Sequence, residues 1–212
     1  MRIEVNRIEL VFGTSNPAKI TQVQAALDPL GVVVHGIGEF GVRLDVPEGG
    51  STAQQNARIK ALAYAHAFTR TVFSMDNALY LDGLSSADQP GPYVRRFPGG
   101  SERPSDSEML RYYIGLIEQH GGSMTGHWDF AVAIATHRGR LAETSIRSLR
   151  HFSATSTSRI IDGYPLESIQ IDPDSGKYVA DMSAVEQAEF WQSAIGAPLM
   201  KFVRDNIDML TD

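Results

Sequence analysis

The feature that most constrains this chain is a short apolar run that passes through a polar loop straight into a helix. Ile8 to Phe12, IELVF, is rich in residues that favour strands. Gly13-Thr14-Ser15-Asn16-Pro17 follows, a break made of turn and cap residues. From Ala18 the apolar positions Ile20, Val23, Ala26 and Leu27 fall on one helical face. Asn16 or Ser15 caps that helix, with Pro17 in its first turn. Strand, polar loop and helix N-terminus make an α/β unit whose orphan N–H groups and dipole favour an anion. Lys19 lies in the first turn, where a lysine is slightly unfavourable for the helix itself, so a phosphate partner explains it. The competing reading is an ordinary turn with a solvated lysine.

The rest of the chain alternates strands and helices. Gly31 to His35 reads as a second strand, and Ala53 to Phe68 as an alanine-rich helix with Ala57, Ala61, Tyr64 and Phe68 on one stripe. Val72 and Phe73 end a buried strand, and Asp76-Asn77 makes a polar break before the apolar run resumes at Ala78. A lone carboxylate there costs free energy unless a cation meets it. Gln89-Pro90-Gly91-Pro92 is a rigid turn ahead of Tyr93 and the pair Arg95-Arg96. Ser105 to Gln119 is a helix with a capping box from Ser105 to Glu108. Trp128 to Thr136 and Leu141 to Ser148 form a hairpin, which makes the sheet mixed. Arg150 to Arg159 is polar and reads as loop, and Ser168 to Ile171 as a short strand. Ser183 and Glu186 open a last helical region, which Gly196-Ala197-Pro198 interrupts before a terminal helix from Leu199 to Leu210.

Composition narrows the classes. At 212 residues the chain suits one domain of two lobes. A net charge of -6 argues against duplex nucleic acid or an anionic membrane as partner. The absence of cysteine removes disulfides, thiolate nucleophiles and Cys-ligated zinc. No apolar run approaches a membrane span and no signal peptide is visible, so the cytoplasm is the expected location. Glu48, just ahead of the second helix, can share a hard cation with Asp76, while Lys60, two turns into that helix, reaches a phosphate. Blandly, Glu48 is a loop acid and Lys60 an exposed lysine.

Four blocks in order resemble the inosine triphosphate pyrophosphatase family, the Ham1-like nucleotide pyrophosphatases. Thr14-Ser15-Asn16-Pro17-Ala18-Lys19 is similar to the family's T-x-N-x-x-K phosphate loop. Glu48-Gly49-Gly50-Ser51-Thr52 with Gln55-Asn56-Ala57 and Lys60-Ala61 is similar to E-x-G-x-T…E-N-A-x-x-K-A, with Gln55 in place of an acid. Met75-Asp76-Asn77-Ala78-Leu79 resembles acid-Asp-Ser-Gly-Leu, and Pro90-Gly91-Pro92-Tyr93 through Arg96-Phe97 resembles P-G-x-Y-x-x-R-Y/F. The second half departs from the pattern. Gly163-Tyr164 is followed by Pro165, without the aspartate of the family's base-gripping element, and Trp191-Gln192-Ser193 stands where Ser-His-Arg is usual.

The resemblance implies a long twisted mixed sheet flanked by helices, in two lobes around a central cleft, and a homodimer. It also implies hydrolysis of a nucleoside triphosphate to the monophosphate and pyrophosphate with Mg2+. Glu48 and Asp76 would hold the metal, and Asp76 would serve as base. Thr14, Asn16, Lys19, Lys60 and Arg96 would bind the triphosphate, and Tyr164 would belong to a remodelled base pocket of altered preference. A nucleotide-binding protein without catalysis is the alternative on the same fold, and an interaction scaffold a weaker third. Pyrophosphate release separates them.

Overall fold

The structure is a computed structural model that describes residues 8–41, 44–47, 49–98 and 104–210. Six strands form one sheet in the order β2-β1-β3-β4-β5-β6. They are β1 (Glu9–Phe12), β2 (Val33–Gly36), β3 (Val72–Leu81), β4 (Ser123–Ala135), β5 (Leu141–Ser153) and β6 (Gln170–Ile171). β1 runs parallel to β2 and to β3, while β5 and β6 are antiparallel, so the sheet is mixed, as the hairpin pattern predicts. The helices are α1 (Pro17–Leu27), α2 (Ala53–Phe68), α3 (Asp106–Gln119), α4 (Ala184–Trp191), α5 (Ala197–Asp205) and α6 (Ile207–Leu210).

The chain divides into two compact units, with boundaries inside β3, β4 and β5. The first takes Met1–Asp76, Ala131–Ile146 and Trp191–Asp212. Its β1–β3 ladder aligns Phe12 with Phe73, and their rings meet edge-on at 5.0 Å, worth about 1 kcal/mol beyond the area buried. Val23, Ala26 and Leu27 of α1 are fully buried, which is the face that the sequence period assigns. α1 packs on β2 and on α5. Gln192 also donates from its amide to the Ala25 carbonyl (3.2 Å), bracing α1 from 167 positions further along.

The second unit takes Asn77–Phe130 and Arg147–Phe190. Its core gathers Leu79 and Leu81 of β3, Met109, Tyr113 and Ile117 of α3, and Phe152, Leu166 and Ile169. Ser105 caps α3 in the expected reciprocal box with Glu108. Ser183 and Glu186 open α4 in the same way.

Three readings of the sequence are corrected. Asp76 does not lie in a polar break: β3 runs unbroken through it, and both oxygens of its carboxylate have partners. Residues 150–153 are not loop but the end of β5. Ile146, Ser148, Arg150 and Phe152 alternate inward, and the Ser and Arg at inward positions hide the strand period. The third concerns Gly196-Ala197-Pro198, which does not interrupt the helix. A π-turn at Gln192–Gly196 joins α4 to α5, and its wider winding accommodates Pro198 without a break. The break falls instead at Asn206, between α5 and α6. β2 also begins later than Gly31, which ends a short 3-10 turn in the left-handed region.

Candidate functional site

The first unit builds a polar loop and a cavity from the end of β1. The Gly13 N–H donates to the Phe73 carbonyl (2.7 Å) and the Ile37 N–H to the Thr14 carbonyl (3.2 Å), so the loop is tied to both neighbouring strands. Gly13 has no room for a side chain, since a Cβ there would stand 2.9 Å from the Tyr64 ring. Asn16 is the N-cap of α1 and accepts the Ala18 N–H at 2.9 Å, and Thr14 Oγ1 accepts the Asn16 N–H at 3.2 Å. Lys19 follows in the first turn of α1. A cavity of about 280 Å3 opens here, lined among others by Gly13, Thr14, Ser15, Lys19, Asp45 and Lys60.

Lys60 connects this cavity to Asp76. Its Nζ lies 2.9 Å from Asp76 Oδ1, with both side chains largely buried. The other carboxylate oxygen, Oδ2, accepts from the Asn56 amide at 3.1 Å. The cation that buried Asp76 demands is therefore a lysine from α2. Asp76 itself does not line the cavity; Met75, its neighbour on the strand, does.

The structure thus brings Thr14, Lys19 and Lys60 to one cavity, with Asp76 bonded to Lys60. Asn16 precedes Lys19 at the start of α1, with its Oδ1 on the cap. Glu48 lies outside the described residues. Among those residues no cluster of three His, Asp or Glu gathers to hold a metal. Magnesium does not require one, because one or two carboxylates suffice when water and substrate phosphates complete the shell. The donor chemistry of Asp76, a carboxylate beside a cavity with two lysines, fits that ion.

Gln55, which stands where the family pattern has an acid, closes a capping arrangement at the start of α2. Thr52 Oγ1 accepts the Gln55 N–H (3.2 Å), and Gln55 Oε1 accepts the Ser51 N–H (2.8 Å). Glutamine serves that purpose as well as glutamate does. Its presence says little about lost catalysis.

In the second unit Arg96 is exposed, with its guanidinium 5.6 Å from the Tyr93 ring centroid. It lines a separate cavity of about 460 Å3 together with Tyr93, Phe97 and Tyr112. Tyr164 follows a turn held by Arg95 and Asp106. Arg95 donates to the Gly163 carbonyl (3.0 Å) and pairs with Asp106 (2.9 Å), which accepts the Gly163 N–H (2.7 Å). Burial, with Glu167 nearby, pushes the Tyr164 phenol well up. Arg95 rather than Arg96 therefore organises the turn that carries Tyr164.

Sequence reasoning missed Asn56, Arg150 and Glu167. Asn56 left a signal: a residue that competes with the helical backbone, placed in the first turns of an alanine-rich helix, needs a tertiary reason. Arg150 and Glu167 left none. Both are buried, and burial moves the Glu167 carboxyl up to about 7 and the Arg150 guanidinium down to about 10.

A parallel strand–loop–helix unit with lysines in its cavity and a carboxylate behind one of them marks a protein of the α/β class. The chain belongs to the Ham1 family, whose model matches residues 10–189. It is 34% identical over 180 residues to the dITP/XTP pyrophosphatase of Bacillus subtilis, covering 84% of this chain and 88% of that protein. It is 25% identical over 181 residues to the dITP/XTP pyrophosphatase of an Exiguobacterium species, covering 85% and 89%. The solved Ham1 protein of Staphylococcus aureus superposes with a TM-score of 0.69 over 93% of this chain and 99% of that one. At 21% identity this likeness speaks to the fold alone.

Proposed function

We propose that this chain is a nucleoside triphosphate pyrophosphohydrolase that requires magnesium and has an altered base preference. The observation that carries the reading is the shared cavity of Thr14, Lys19 and Lys60 at the N-terminus of α1, with Asp76 bonded to Lys60. Backbone N–H groups at that helix start, with two lysines, suit the oxygens of a triphosphate tail.

In this reading Asp76 accepts a proton from the attacking water. The water oxygen bonds to the α-phosphorus, and the bond from that phosphorus to the α–β bridging oxygen breaks. The electron pair leaves with pyrophosphate, whose growing charge Lys19 and Lys60 neutralise. Asp76, with Glu48 as the second acid of the motif, would hold magnesium, which supplies charge neutralisation and a more acidic bound water. Lys60 faces both anions, so it holds Asp76 in place before substrate arrives and meets phosphate afterwards.

The altered base preference is supported by Gly163-Tyr164-Pro165, which lacks the family's aspartate, and by Gln192, whose amide is spent on the Ala25 carbonyl. Tyr164 and Arg96 are the other substrate-binding residues of this reading. The chain works as a homodimer in the cytoplasm, each subunit one domain of two lobes. Its partner is a free nucleotide rather than duplex nucleic acid, a preference supported by the net charge of -6. No helix among the described residues is long and apolar enough to cross a membrane.

The test is a panel of standard and deaminated nucleoside triphosphates assayed for pyrophosphate with and without magnesium. Release that depends on magnesium, with label from 18O-water in the monophosphate, is expected. Tight nucleotide binding without release would instead identify a binding protein.

A further inference from the structure

Asp76 is held from two sides, and only one of its holders faces the cavity. Lys60 bonds Oδ1; Asn56, nearly inaccessible at 3% exposure, bonds Oδ2. The orientation of the Asn56 amide is fixed by its other neighbour. A backbone N–H can only donate, and the Gly50 N–H lies 2.9 Å from one end of that amide. That end is therefore the oxygen, and the NH2 is left aimed at Asp76. The approach is close: a Cβ at Gly50 would stand 2.6 Å from Asn56 Oδ1 and 2.7 Å from the Gln55 Cβ, so a residue with a side chain would push the contact apart. Asn56 also sits on a rigid base, since its own N–H bonds the Thr52 carbonyl (3.1 Å) at the start of α2.

We propose that Asn56 is a positioning residue for Asp76, linking that carboxylate to the glycine loop that follows Glu48 in sequence. A carboxylate that takes a proton or touches a hard cation must present fixed lone pairs, and outer partners of such groups set that direction. Asn56 occupies one lone pair of Oδ2 and leaves the rest of the carboxylate a single orientation. Because the same amide holds Gly50, movement of the glycine loop turns the carboxylate as well. The catalytic half of this inference rests on the role given to Asp76 above; the coupling between Gly50 and Asp76 does not.

Two readouts separate the halves. In the full chain, Asp76→Asn shifts the Gly50 backbone amide resonance, and the same substitution made on an Asn56→Ala background leaves it where it was. A Gly50 shift of equal size on both backgrounds would overturn the coupling. In turnover, Asn56→Ala lowers kcat by about ten- to a hundredfold, with KM little changed. Asn56→Asp keeps the shape and the oxygen for Gly50 but replaces the donor with an acceptor. It loses as much activity as Asn56→Ala, because an acceptor then faces Asp76 Oδ2 where a donor stood. An Asn56→Asp enzyme as active as the parent at neutral pH would sink the positioning role. If Asn56→Ala fails to fold, the isosteric Asn56→Asp takes its place in turnover, and Asn56→Leu, which has neither donor nor acceptor, takes its place in the Gly50 measurement. If the parent chain releases no pyrophosphate from any nucleotide, the hydrolase reading fails, while the Gly50 resonance still decides the coupling.

Discussion

The two units bury charge to similar depth and treat it differently. In the first, Asp76 is 7% exposed and both of its oxygens have partners at hydrogen-bond distance, one of them the Lys60 ammonium. In the second, Arg150 and Glu167 are 3% and 5% exposed, and desolvation is the larger effect on each. The Arg150 guanidinium lies 4.6 Å from the Phe190 ring centroid and donates to Ser148 Oγ and the Leu149 carbonyl, while Glu167 moves toward its neutral form. The Asp76 carboxylate is clamped between an ammonium and an amide, beside a lysine-lined cavity. A carboxyl poised near neutrality inside a packed core is arranged to be uncharged much of the time.

The largest test of that contrast is Asp76→Asn. Turnover is expected to fall on the order of a thousandfold, with the fold intact by circular dichroism. An unchanged rate of pyrophosphate release would place the ionic chemistry elsewhere. Glu167 comes next, with an effect on stability. Its folded value of about 7 lies above the ordinary 4.5, so its protonated form contributes stability fully below pH 4.5. That contribution is lost as the pH rises through about 7, and amounts to about 3 kcal/mol. Denaturant midpoints from pH 4.5 to 8 should therefore fall in the parent and stay flatter in Glu167→Gln. Parallel curves would remove the contrast.

Smaller effects sharpen the first unit. Lys19→Ala should raise KM for a triphosphate about tenfold, a loss of about 1.4 kcal/mol, and lower kcat as well, because the lysine also meets the charge that grows on the leaving pyrophosphate. If only the melting temperature moves, Lys19 is structural. Asn16→Ala should cost about 1 kcal/mol of stability through the lost cap and leave KM within about twofold. A KM rise as large as that of Lys19→Ala would make Asn16 a substrate ligand as well.

The parts legible in the sequence are those decided locally. Asn16, Thr52 and Ser105 announce α1, α2 and α3, because a cap and a 3.6-residue period need no knowledge of the rest of the chain. The strands were harder where a tertiary partner overrides polarity. Asp76-Asn77 looks like a break until Lys60 and Asn56 are known to meet the carboxylate, and residues 150–153 look like loop until Arg150 is known to point inward. In the site, motif order was enough to group Thr14, Lys19 and Lys60. It named Asn56 within the matched block without giving it a role, since that role depends on Gly50 and Asp76, and it favoured Arg96 over Arg95, because a motif marks a position and not which arginine a carbonyl awaits.

The amide of Gln192 on the Ala25 carbonyl has a consequence for how the molecule is made. A ribosome delivers α1 long before the turn that braces it, which follows 167 positions later. The helix is thus made early and made firm late. A nascent chain halted before that turn holds Thr14, Lys19 and Lys60 without the buttress on α1.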